Sequence, residues 1–218
     1  MSRLRYPLVC FDLDGTLVDD TVYIWQTLHE HFRTDAAARR RAHDDYLAGR
    51  LPYRGWFAAD LTLLDRAGAT EEAIRELLTT LRPMRGARET LAELARRGHR
   101  LAVISGSLDI VVEALFAEVK FDHVLINRIE FDRAGRIRGG TPTLYDLEGK
   151  AEGLREICRR ERLPTSRAAF VGDNVNDVWI AREAGLSIAF NCKSDELRAC
   201  CHHEVAGNDL RDVLSLLK

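Results

Sequence analysis

Leu8-Val9-Cys10-Phe11-Asp12-Leu13-Asp14-Gly15-Thr16-Leu17 is the stretch on which the reading of this chain turns. Four apolar residues without a polar interruption fit a short strand buried on both faces. Asp12 and Asp14, one residue apart beyond its end, point the same way. In an open parallel sheet that C-terminal edge is where ligands bind. Two carboxylates at one edge repel each other unless a cation lies between them. Oxygen donors suit a hard divalent ion, and Mg²⁺ is the usual one where phosphate is also bound. Asp, Gly and Thr are equally at home in a plain turn, so the stretch alone leaves a structural turn open.

Working outward, apolar runs recur at 101–104, 168–171 and 187–190, with a weaker one at 124–126. Between them lie helical patterns over 87–97, 108–118, 150–161, 177–184 and 210–217, and a hairpin is expected at 131–139. Strands alternating with helices predict an α/β fold: an open parallel Rossmann-like sheet with helices on both faces. From about Tyr23 to Leu81 the alternation stops and the pattern is helical throughout. Trp25, Leu28 and Phe32 share one stripe, and Leu61, Leu64 and Gly68 end another. Thr70 is placed to cap a further helix. Pro83 to Gly86 reads as a return hinge. The expected organisation is therefore a catalytic core over 1–18 and 84–218 and an inserted helical cap over 19–83. The cap is either a packing subdomain or a lid that excludes water from the site beneath it.

Composition narrows the function. The chain has 218 residues, 46% hydrophobic and 30% charged, as in an ordinary globular protein. Lys and Arg number 32 against 34 Asp and Glu, a net charge of −2 that provides no field for a polyanion, so nucleic acid is not expected as a partner. Cys10, Cys158, Cys192, Cys200 and Cys201 are odd in number, which argues against a disulfide framework. Cys200-Cys201-His202-His203 cannot wrap one tetrahedral ion from four contiguous positions, and reads as ordinary helix-end sequence. About five apolar residues precede Asp12, too few for a signal-peptide core or membrane span. A reducing cytoplasm and no membrane partner are expected, with monomer and homodimer both open.

Three more motifs fall at element ends. Ser105-Gly106-Ser107 follows the second strand, where a helix N-terminus offers free N–H groups to a phosphate; Ser105 is the functional candidate and Ser107 the expected cap. Gly172-Asp173-Asn174-Val175-Asn176-Asp177 puts a second acidic cluster after the fourth strand, facing the first across the sheet edge. Gly149-Lys150 opens a helix, and a lysine there can neutralise phosphoryl oxygens. Taken alone, Lys150 would read as solvated surface; its place in the series gives it weight.

That series, in this order, resembles the haloacid dehalogenase superfamily of phosphohydrolases. Gly185-Leu186-Ser187-Ile188-Ala189-Phe190, Gly207-Asn208-Asp209-Leu210-Arg211-Asp212 and Asn127-Arg128 are similar to its phosphoserine phosphatase branch, as is the position of the helical insertion. The resemblance implies Asp12 as the nucleophile of an aspartyl-phosphate and Asp14 as general acid, then base, with Ser105 and Lys150 completing the catalytic set. Mg²⁺ is implied on Asp12, the backbone carbonyl of Asp14 and Asp173, with Asp177 and Asn176 supporting the site. Ser105, Gly106, Lys150 and Asn176 would bind the phosphate.

Two charges of the branch are absent. Thr21 stands nine residues after the nucleophile, where the branch has a glutamate for the substrate ammonium, and Asp60 aligns with its cap arginine for the substrate carboxylate. Arg50, Arg54, Asp19 and Asp20 are the nearby charges able to substitute. Tyr23, Trp25, Tyr53, Trp56 and Phe57 enrich the insertion in aromatics, as cap core or, for Tyr53 and Trp56 with Thr21, as pocket lining. The expected activity is a Mg²⁺-dependent phosphatase of a small phosphorylated metabolite, with a sugar-like, alcohol or aromatic phosphate preferred to O-phosphoserine. The alternatives are a genuine phosphoserine phosphatase, a phosphotransferase to an alcohol, and a non-catalytic phospho-ligand-binding module.

Overall fold

The computed structural model describes residues 4–19, 21 and 23–217. In chain order it contains β1 (Leu8–Phe11), β2 (Val18–Asp19), α1 (Ile24–His31), α2 (Ala36–Leu47), α3 (Tyr53–Arg66), α4 (Glu71–Leu78), β3 (Arg82–Pro83), α5 (Ala87–Arg97) and β4 (Arg100–Leu108). There follow α6 (Asp109–Leu115), β5 (His123–Phe131), β6 (Ile137–Thr141), α7 (Gly149–Glu161), β7 (Ala168–Gly172), α8 (Val178–Glu183), β8 (Leu186–Phe190), α9 (Asp195–Cys200) and β9 (His203–Val205). Seven strands form one sheet in the order β6-β5-β4-β1-β7-β8-β9. All neighbours are parallel except β6, which returns antiparallel on β5 as the expected hairpin. The chain builds outward from β1 through β4 and β5 on one side, then through β7, β8 and β9 on the other. The strand order thus reverses beside β1, and a crevice opens at the carboxyl ends there. Asp12, Ser105 and Asp173 are carried into that crevice by β1, β4 and β7.

The sheet has a core on each face, so its strands are apolar at successive positions. Leu8, Cys10, Ala102, Ile104 and Phe170 pack with Leu154 and Ile157 of α7 and Ile180 of α8. Val9, Phe11, Val103, Val171 and Ile188 pack on the opposite face with Leu91 and Leu94 of α5 and Val111 of α6. Each fully buried large apolar side chain contributes about 1.5–3 kcal/mol, so β1, with all four residues at 0% exposure, is a fixed platform for Asp12. Helix α5 has the expected bounds because left-handed glycines flank it, Gly86 at φ +74° and Gly98 at φ +91°.

The chain leaves and re-enters the sheet layer through a two-stranded antiparallel ribbon, Val18 opposite Pro83 and Asp19 opposite Arg82. Four helices intervene. Asp35 caps α2 through Ala38 N–H at 2.9 Å, and Thr70 caps α4 through Ala73 N–H at 3.2 Å, the latter as its sequence indicates. The insertion rests on the hairpin: α3 packs on β6, and Glu71 N–H donates to the Gly135 carbonyl at 2.8 Å.

Several local expectations are corrected. Strand β4 runs on to Leu108 with a register irregularity after Ile104, so Ser107 caps no helix. The C-terminal segment is a 3-10 turn over Leu210–Ser215 rather than an α-helix. Helix α9 and strand β9 were not legible, since neither carries a periodic apolar run. Cys200 ends α9, the His202 ring accepts from Ser187 N–H at 3.0 Å, and all five cysteines are free. Among the described residues no helix is long and apolar enough to cross a membrane.

Candidate active site

Beyond β1 the backbone turns sharply at Gly15, whose φ of +76° favours glycine. The space matters as much as the dihedral, because a Cβ on Gly15 would lie 2.3 Å from Asp173 Oδ2. The turn leaves Asp12 and Asp14 buried, at 2% and 6% exposure, yet facing different partners. Asp14 Oδ2 accepts from Ile24 N–H at 2.7 Å and its Oδ1 from the Ser107 hydroxyl at 2.8 Å. The start of α1 therefore holds this carboxyl, tying its position to the inserted helices. Burial pushes its pKa up to about 7, opposed by the Ile24 N–H and reinforced by the charge of Asp12. It can carry a proton near neutrality, as a general acid must.

Asp12 Oδ1 faces the other way and accepts from Lys150 Nζ at 2.8 Å, while the same ammonium reaches Asp177 Oδ1 at 2.6 Å. Lys150 is fully buried at the start of α7. Burial alone would depress its pKa, but Asp12, Asp177 and Asp146 outweigh that and hold it above its usual range. The sequence position of Lys150, ambiguous by itself, is thus a buried counter-charge to the first carboxylate.

Asp177 also accepts from Asp173 N–H at 3.0 Å through Oδ2, and burial keeps its carboxyl above the usual range. Asp173 is pushed up to about 6 by burial and by Asp12. One oxygen each of Asp12, Asp173 and Asp177 lies within 4.8 Å of the others. This all-carboxylate cluster, beside a glycine that leaves room, fits a hard divalent cation. The Asp14 carboxylate lies outside the triad, turned toward Ile24 and Ser107. Lys193, which sequence reasoning missed, donates from Nζ to Asp173 Oδ2 at 2.7 Å, and Thr16 donates to Asp173 Oδ1 at 3.3 Å.

The Ser105 hydroxyl accepts from Ser107 N–H at 3.2 Å, within the irregular end of β4. Next to it the Gly106 carbonyl accepts from Trp25 Nε1 at 2.9 Å and Asn127 Nδ2 at 2.6 Å. A Cβ at Gly106 would meet the Asp146 carboxylate at 2.2 Å. Asp146 is a second missed residue. Its Oδ2 accepts from the Tyr53 hydroxyl at 3.1 Å and its Oδ1 from Leu147 N–H at 2.8 Å, and burial raises its pKa.

These groups open on a cavity of about 320 Å³ lined by Asp12, Asp14, Ser105, Gly106, Asn176 and, from the insertion, Trp56 among others. Asn176 Oδ1 is buried without a hydrogen-bond partner among the described residues. Tyr53 stands one layer back: it lines an adjoining groove, and its hydroxyl is engaged by Asp146 and by Asn127. Thr21 does not reach the cavity wall; it is 2% exposed and its hydroxyl has no partner among the described residues. Asp60 is not a bare charge facing substrate. It lies 3.3 Å from His29 Nε2 and 3.9 Å from Arg39 Nε. Of the proposed substitutes, Arg50 pairs with Asp45 at 2.6 Å on the surface, Arg54 lines a depression beside the hairpin, Asp19 sits in β2, and Asp20 lies outside the described residues. The basic side chains that do line the cavity are Arg39 and His43 of α2. Their spacing of four places them on one helix face. That spacing was the available signal, in a helix with no apolar stripe to orient it.

A sequence profile of haloacid dehalogenase-like hydrolases matches residues 9–182. The chain belongs to that family. Among the similar members is the phosphoserine phosphatase of Methanocaldococcus jannaschii, 28% identical over 98% of this chain and 99% of that protein. Another is the phosphoserine phosphatase of Streptomyces coelicolor, 31% identical over 100% of this chain but 52% of that protein, so the chain spans about half of that relative. A substrate-bound phosphoserine phosphatase complex superposes with a TM-score of 0.77 at 25% identity, covering 98% of this chain and 99% of the other. A phospho-aspartyl intermediate analogue of phosphoserine phosphatase gives 0.75 at 26%, with the same coverage. This haloacid dehalogenase-like protein is a phosphoric monoester hydrolase.

Proposed function

We propose that this hydrolase is Mg²⁺-dependent and cleaves a small phosphate monoester through an aspartyl-phosphate on Asp12. The observation that carries the reading is the division of labour between two adjacent carboxyls. Asp12 is paired with the Lys150 ammonium, while Asp14, pushed up to about 7, is held by Ile24 N–H and Ser107 in a separate orientation. An Asp12 carboxylate oxygen attacks phosphorus as the bond to the leaving alcohol breaks, and Asp14 gives that alcohol its proton. Asp14 then takes a proton from water as the water oxygen attacks phosphorus, releasing phosphate and restoring both carboxyls. Ser105, the Gly106 backbone and Lys150 hold the phosphoryl oxygens, and Asn176 offers an unpartnered amide oxygen to the organic part. Asp12, Asp173 and the Asp14 carbonyl would hold the metal, with Asp177 fixing Asp173 and Lys150. Bound there, Mg²⁺ supplies further neutralisation of the phosphoryl charge.

The organic part of the substrate is proposed to lack an ammonium group, so that O-phosphoserine is not the best substrate. Thr21 does not line the cavity, and Asp14 and Asp146 are each already held by two hydrogen bonds. An ammonium buried there without a free carboxylate costs several kcal/mol. The names of the relatives favour the other reading, phosphoserine itself. Asp12→Asn tests the chemistry: turnover of p-nitrophenyl phosphate is expected to fall by several powers of ten with thermal stability retained. A variant keeping more than roughly a few percent of the wild-type rate overturns the covalent route.

A further inference from the structure

The cavity contains a cation that the phosphoryl chemistry does not use. Arg39 projects from α2 into the space shared by Asp12, Asp14, Ser105 and Trp56, with 29% of its side chain exposed. Its contact with Asp60 is 3.9 Å, beyond hydrogen-bond distance, and no other described residue accepts from it. A guanidinium carries five N–H donors in a fixed fork. Paired with Asp60 only at 3.9 Å and without an acceptor at hydrogen-bond distance among the described residues, these partly desolvated donors are open to a ligand acceptor. His43, one turn further along α2, lines the same wall with its ring 5.3 Å from that of Trp56. Asp60 is 3% exposed and beside both His29 and Arg39, so it steadies the guanidinium without filling its donors.

We infer that Arg39, assisted by His43, is the specificity-determining residue for an acidic group on the leaving alcohol, so that the substrate is the phosphate ester of a small hydroxy acid without an ammonium group. The inference rests on the phosphatase reading above and narrows it. The acid arrives at one end of the cavity, where Arg39 forks it, while the phosphate is held at the other by Lys150, Ser105 and Gly106. Trp56 packs on the carbon skeleton between them.

A matched trio of esters tests this, because the leaving alcohols differ in one terminal group: phosphoglycolate presents a carboxylate, ethyl phosphate a methyl and phosphoethanolamine an ammonium. Wild-type kcat/KM is expected to rank the carboxylate first and the ammonium last. Arg39→Gln should reduce the acid-to-methyl ratio by about tenfold or more, mainly through KM, and Arg39→Lys should recover part of it. A wild-type ratio of one or less, or an equal fall for all three esters in Arg39→Gln, overturns the assignment. Should Arg39→Gln fail to fold, product inhibition of the wild type decides: glycolate inhibiting where ethanol does not supports the proposal, and equal inhibition overturns it. A protein that turns over neither the trio nor p-nitrophenyl phosphate overturns the phosphatase reading itself, a distinguishable failure.

Discussion

Lys150→Met removes the one ammonium that is paired with both Asp12 and Asp177 among the described residues. The side chain is completely buried, its Nζ 2.8 Å from Asp12 and 2.6 Å from Asp177, and Met is close to it in length and shape. Two carboxylates are then buried without their counter-charge, a change worth about 3–5 kcal/mol when one partner of a buried pair is deleted. The folded variant has a way to reduce that loss, which is to bind a proton. Burial already holds Asp177 above the usual carboxylate range, and loss of the ammonium raises it further. In the unfolded chain the same carboxyl titrates at about 3.9. Around neutrality the folded variant therefore binds more protons than its unfolded state, and its stability falls as pH rises. The stability lost relative to the wild type in urea unfolding should therefore be larger at about pH 9 than at about pH 6, approaching about 3–5 kcal/mol where both carboxylates are ionised. In thermal unfolding the larger loss corresponds to about 6–20 °C for a chain of this size. An equal loss at both pH values, or none at the higher one, would refute the view that Lys150 is the counter-charge of this pair.

Asp14→Asn removes the proton donor, so kcat/KM for an alkyl phosphate should fall by about 10²–10⁴, and for p-nitrophenyl phosphate, whose leaving group needs no proton, by far less. In the wild type, kcat/KM for the alkyl ester should decline as pH rises through about 7, where the raised carboxyl of Asp14 loses the proton it must donate; a flat profile across that interval would remove Asp14 from the role. Chelation should stop turnover and Mg²⁺ restore it, and a metal titration should find Asp173→Ala more weakened in Mg²⁺ activation than Asp177→Ala, with the reverse order assigning Asp177 to the metal instead. Gly15→Ala places a methyl 2.3 Å from Asp173 Oδ2 at a φ of +76°, so it should lose about 1–3 kcal/mol of stability and weaken Mg²⁺ activation, and an unchanged urea midpoint would show that the turn relaxes freely.

The legible part of this protein lies where function coincides with strong local pattern. Runs such as Leu8–Phe11 and Ala168–Gly172 have no polar residue because helices cover both faces of the sheet, and the same burial makes them visible in one dimension. Their ends are equally visible, since a carboxylate or hydroxyl immediately after an apolar run, beside a glycine, is a local signature. Asp12, Asp14, Ser105 and Asp173 were named on that basis, and Lys150 and Asp177 from their place in the motif series; the topology brings them to one crevice. Less visible were elements held by capping and edge pairing, such as α9 and β9, where no apolar period exists to detect.

Sequence by itself determined the alternating α/β order, the helical insertion after β1 and the acidic residues at the strand ends, because each depends on periodicity or on neighbours a few residues apart. Tertiary structure alone decided what charge the insertion presents to the cavity. Helix α2 buries none of its residues, so its pattern has no face that a periodicity argument could orient, and Arg39 and His43 become cavity residues only when α2 is laid over the sheet edge. Asp60 marks the same limit from the other side. Its position in the chain put a carboxylate where the branch has an arginine, but the packing of α1 and α2 against α3 places His29 and Arg39 beside it, and a carboxylate's effect on a ligand depends on which groups have already met it.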